Sequence, residues 1–116
     1  MTSRWFDSTA AAILASVQAA EAAAGEKRSR EFDATITDLR ILAQLARFHA
    51  RRAISAVHFN LFTRSLKLAE LYPATLEEQK VVAIWRELVA NAGDRYSFDL
   101  AMGARDHDLC GHWRDE

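Results

Sequence analysis

The sequence predicts an all-α domain: three or four helices, a long central one among them, and an irregular C-terminal tail. Three observations predict it. Four glycines and one proline in 116 residues are too few for a turn-rich β fold. Half of the residues are apolar, which argues against disorder. Apolar residues recur at helical spacing in three segments, each with its own start or stop signal.

The first helix is expected over 8–24. Asp7 or Ser8 can cap it, because a short side-chain oxygen accepts a free N–H of the first turn. Ile13, Leu14 and Val17 form its apolar ridge, and alanine fills most of the rest. Gly25 is its natural stop, since glycine enters the left-handed region without strain. The charged cluster at 26–31 is either a loop or the exposed start of the next helix.

The second helix is expected over 30–61 or further, with no Gly or Pro to interrupt it. At about 100° per residue, Arg40, Gln44, Arg47, Arg51, Ser55 and His58 share one narrow stripe. Leu39, Leu42, Ala46, Ala50, Ala53, Val57 and Leu61 line a second face, and Ile41, Leu45, Phe48 and Phe59 a third. An ordinary surface helix has one apolar face. This one has two, so it should have neighbours on two sides.

The segment 62–72 can extend that helix or form a short one of its own. Pro73 is expected to end whatever precedes it, because proline pushes the residue before it out of the α region. Thr75 with Glu78 three residues on has capping-box spacing, so the third helix is expected over 76–92. Val81, Ile84, Trp85, Leu88 and Ala92 share its apolar face, and Gly93 closes it. The tail, 94–116, has no helical period; Tyr96, Phe98 and Leu100 alternate as in an extended stretch.

Size and charge narrow the function classes. A chain of 13.0 kDa folds to about 6,300 Å² of surface from about 18,900 Å² extended, enough burial for one core. One domain, 1–116, is therefore expected. Fifteen basic against sixteen acidic residues exclude a strongly basic nucleic-acid binder. No run is long and apolar enough to suggest a membrane span. Asp7 and the shortness of the apolar run at 10–15 argue against a signal peptide. Cys110 is the single cysteine, so no intrachain disulfide forms, and cytoplasmic placement is the default.

Few residues suggest chemistry. His49 and His58 are nine positions apart on one helix and cannot share an ion. His107, Asp108, Cys110 and His112 could be a zinc half-site, but nothing completes it, and no metal or cofactor is assigned. Cys110 and His112 resemble a nucleophile–base pair only in composition. No nucleophile elbow or phosphate-binding glycine loop occurs, and no catalytic residue is assigned. The stripe of Arg40, Arg47 and Arg51 could grip phosphate or carboxylate. The neutral chain favours a plainer reading, a solvent face paired with acidic neighbours. His49 is either a satisfied histidine at an interface or a polar contact to a carboxylate on a facing helix. Tyr96, Asp99, His107, His112, Trp113 and Arg114 are the candidate ligand contacts of the tail. Rings among polar groups suit a carbohydrate, and equally suit a tail strapped onto a neighbouring domain.

Two stretches carry a family resemblance. One is LARFHARRAISAVH at 45–58. The other joins WRELV at 85–89, GDRY at 93–96 and DLAMG at 99–103 to the ending GHWRDE at 111–116. They resemble the helical C-terminal region of large bacterial glycoside-hydrolase-like proteins, where such a region follows an α/β catalytic-type domain. The sequence departs from that pattern at Thr63-Arg64-Ser65, where a Thr-Gly-Asp turn is expected. The resemblance implies a fragment or remnant without an active site, and the ending carries no natural stop signal.

The function expected is a non-catalytic helical accessory domain. It would pack against a partner domain or another copy of itself, binding neither nucleic acid nor membrane. The alternatives are a small carbohydrate-binding or hydrolytic domain working through the tail, and a helical metal or cofactor protein.

Overall fold

The computed structural model describes residues 2–96, and every described element is helical. The helices are α1 (Thr2–Ala24), α2 (Arg30–Ser65) and α3 (Leu68–Ala92). The fold class is all-α. Most of the tail that the sequence leads one to expect as irregular lies outside the described residues.

Helix α1 begins at Thr2, ahead of the caps expected at Asp7 and Ser8. The Ser8 hydroxyl instead donates back to the Trp5 carbonyl at 2.9 Å. Asp7 is taken by Arg51 of α2, which ties the second turn of α1 to its neighbour. The helix stops at Gly25, which has φ +58° as expected. Arg28 fixes the turn: its Nε donates to the Gly25 carbonyl at 3.0 Å, and its guanidinium meets Glu21 at 3.3 Å. Ser29 then caps α2, accepting the Phe32 N–H at 3.0 Å, and Glu31 and Asp33 face the positive end of the helix dipole.

Helix α2 runs unbroken past the expected 61 to Ser65. Leu66 and Lys67 alone join it to α3. Leu66 takes the left-handed conformation, φ +56°, and its N–H donates to the Phe62 carbonyl at 2.7 Å. Glycine normally fills such a position, because a Cβ there is crowded. Leu66 is exposed and packs on little. Leu66→Gly is therefore expected to stabilise the fold by about 0.5 kcal/mol, the relief of strain being partly offset by glycine's entropy when unfolded. The midpoint of urea unfolding measures it.

Pro73 does not end a helix here. It lies inside α3, and the expected break before Thr75 is absent. Pro73 is the sixth residue of α3, beyond the amides that lack an acceptor in any helix, so it costs the hydrogen bond that an N–H here would give to the Ala69 carbonyl. Packing outweighs what is lost: Ala74 is buried on α2, and the Ser55 hydroxyl donates to its carbonyl at 3.2 Å. Thr75 is no cap; its hydroxyl donates to the Leu71 carbonyl one turn back, at 3.1 Å.

Both α1 and α3 run antiparallel to α2, as the pairs Glu21–Arg40 with Asp7–Arg51 and Glu70–His58 with Glu87–Arg47 require. Each packs on α2, and among the described residues they make no backbone-level contact with one another. Ile41, Leu88 and Ala92 form the buried cluster, with Leu45, Trp85 and Tyr96 against it. Ala43 and Ala50 of α2, with Ala10 and Val17 of α1, are buried elsewhere.

Candidate functional site

The arginine stripe of α2 faces inward. Gln44 and Ser55, on the same ridge, are 6% and 4% exposed. The ridge lies between the alanines of one apolar face and Ile41 of the other, so it points into the crevice between α1 and α3. There each arginine meets a carboxylate. Arg40 lies 2.8 Å from Glu21, and Arg47 lies 3.6 Å from Glu87. Arg51 bonds Asp7 and lies 3.8 Å from Glu77, bridging α1 to α3. Lys80 reaches the other oxygen of Glu77 at 2.5 Å. The crevice, about 330 Å³, is lined by Asp7, Arg47, Arg51, Lys80, Ala83, Ile84 and Glu87. Its charges pair off within the molecule. With Glu77 counted, three cations face three carboxylates, so the crevice presents no basic excess for a phosphate.

Of the expected tail contacts, only Tyr96 is described; Asp99, His107, His112, Trp113 and Arg114 lie outside the described residues. So do the four groups of the zinc half-site reading, and no metal-binding cluster occurs among the described residues. Tyr96 packs against the core, and its hydroxyl donates to the Asp38 carboxylate. Arg95 beside it donates to the Asp33 carbonyl at 3.1 Å. The end of the third helix is thereby tied to the start of the second.

Burial and the Asp38 carboxylate push the Tyr96 hydroxyl up from 10.0 to about 12. Its neutral form is the one favoured by folding. That contribution is complete below about pH 10 and is lost as the pH rises towards 12. An ultraviolet titration of the chain minus that of Tyr96→Phe is expected to show one phenol ionising near 12, with stability falling across the same window.

The second feature is an apolar groove along α2 and α3, of about 550 Å³. Phe48 and Arg52 of α2 and Glu78, Val81, Val82, Trp85, Arg86 and Val89 of α3 line it. Phe48 and Trp85 form its floor, with ring centroids 5.5 Å apart. The Arg52 guanidinium lies 5.7 Å above the Phe48 ring, a cation–π contact. Val82 is 47% exposed on its wall. A smaller hollow carries the surface onward to Phe59, which is 53% exposed. His49 sits at the surface between Phe6 and Phe48, 5.9 and 5.4 Å from their rings. Of its two expected settings, the ring neighbours fit a histidine at a helix interface and not a contact to a carboxylate.

Periodicity places Phe48, Val81 and Trp85 on apolar faces, so three of the eight groove residues are readable from the sequence. Val82 and Arg86 are not: they lie off the α3 core stripe and gain meaning only beside Phe48. A surface of rings and valines with a charged rim can exclude water from an apolar partner. It offers no acid–base pair. No helix among the described residues is long and apolar enough to cross a membrane. No protein family, curated protein or solved structure matches the chain.

Proposed function

We propose that this chain is a non-catalytic helical interaction domain, a bundle with α2 at its centre. It acts by laying the α2–α3 groove against a partner domain or another copy of the chain. The exposed apolar groove carries this reading. Phe48, Val82 and Phe59 stand at a surface where a lone bundle would place polar residues. The charged crevice is neutralised from within and leaves no competing site for an anionic ligand. The resemblance to the C-terminal region of glycoside-hydrolase-like proteins agrees with an accessory role beside a larger domain.

Apolar-dye fluorescence and sedimentation, measured together, test the reading. The chain is expected either to bind the dye or to self-associate, and Val82→Asp to abolish whichever occurs while leaving the circular dichroism unchanged. A folded monomer that binds no dye overturns the reading.

A further inference from the structure

We propose that the groove's occupant is a second copy of this chain, docked antiparallel about a twofold axis at Val82. The proposal rests on the reading of the groove as an interaction surface. Its own argument is the order of charges on α3. Glu78, Val82 and Arg86 are four residues apart, so they form one row that winds about 40° around the helix at each step, with Val82 midway. Opposite charges stand at equal distances on either side of an exposed valine. A twofold axis through that valine reverses the stripe. It sets Glu78 against the copy's Arg86, and Arg86 against the copy's Glu78. The same patch is thus complementary to itself, as a twofold interface requires.

The charges within one copy leave room for this. Arg86 makes no hydrogen bond or ion pair among the described residues. Glu78 has only a loose pairing, 3.9 Å from Arg52. The apolar groove flanks the stripe on the α2 side, so its rings and valines would be covered as the charges meet.

Sedimentation of the full chain and its charge variants tests the proposal. The unaltered chain is expected to be a dimer in the micromolar range. Arg86→Glu and Glu78→Arg should each weaken it by at least ~10-fold, because each places like charges together twice. Combining Glu78→Arg with Arg86→Glu should restore the original affinity. A second measurement does not depend on charge. Val82→Cys in a Cys110→Ser background should form a disulfide-linked dimer on oxidation, because a residue on a twofold axis meets its own copy.

Four results would overturn the dimer: a monomer at all concentrations, single reversals without effect, no rescue by the pair, or no cross-link at 82. A monomer that still binds apolar dye overturns the dimer alone. A monomer that binds none removes the interaction reading as well.

Discussion

Replacing Leu88 with alanine is expected to lower the unfolding free energy by about 3 kcal/mol. Leu88 is fully buried, and with Val17 it is one of the two largest side chains so enclosed. Much of the remaining buried set is alanine: Ala10, Ala43, Ala50, Ala74 and Ala92. Alanines allow helices to approach closely but contribute little apolar area each. The contacts of Leu88 with Ile41 and Ala92 therefore carry a large share of the α2–α3 packing. The cavity left by truncation has stiff walls, because the neighbouring side chains are short or already held by Trp85 and Tyr96. Chemical denaturation measures the loss. Val57→Ala, at a site that is 59% exposed and outside the groove, is the control and is expected to change stability by less than about 0.5 kcal/mol.

The second large effect is expected at Arg51. Arg51→Ala should cost about 2 kcal/mol, most of it through Glu77. The Glu77 side chain is 13% exposed, and its Oε2 is buried without a hydrogen bond, facing the Arg51 guanidinium across 3.8 Å. Removing the cation leaves that carboxylate with Lys80 alone. Asp7 is 42% exposed and returns to water at little cost. A double-mutant cycle separates the two partners. Arg51→Ala with Glu77→Gln is expected to show a coupling of about 1 kcal/mol, and Arg51→Ala with Asp7→Asn less than half of that. Equal couplings would mean that the bridge to α1 matters as much as the bridge to α3.

Much of this architecture is legible in local sequence signals. Gly25 marks the end of α1, since no other residue nearby tolerates a positive φ so readily. Two neighbours flank α2, as its two apolar faces require, but the faces are covered only in part: Ala50 and Ile41 are buried, while Leu42 and Phe59 stand exposed. Where sequence reasoning misses, a long-range contact overrules a local preference. Pro73 and Thr75 read as a helix boundary, yet packing of Ala74 on α2 carries the helix through them. Leu66 gives no turn signal, because the joint forms at a leucine in a conformation usually reserved for glycine.

The polar stripe is half legible: its pairing with acidic neighbours is expected and found, while its place in the crevice between α1 and α3, with the arginines still partly exposed, is not expected. Three arginines on one ridge suggest water, since burying a lone cation is costly. The carboxylates that make the inward orientation affordable are Asp7, Glu21, Glu77 and Glu87, on two other helices. Their alignment with the arginines depends on the antiparallel register of all three helices, which no local pattern encodes. Length explains the wet end of the second apolar face. Helix α1 has 23 residues and α2 has 36. The Asp7–Arg51 pair brings the start of α1 level with the residues just beyond Arg51, so Val57 and Leu61 project past it and stand exposed.

Thiol labelling along α2 tests the central arrangement most directly. Single cysteines are placed at 44, 55, 42 and 57 in a Cys110→Ser background, and their reaction rates with a small thiol reagent are compared. With the polar ridge enclosed by α1 and α3, Gln44→Cys and Ser55→Cys should react at least ~10-fold more slowly than Leu42→Cys and Val57→Cys. Equal rates, or a reversed order, would contradict the inward-facing stripe and the helix packing built on it.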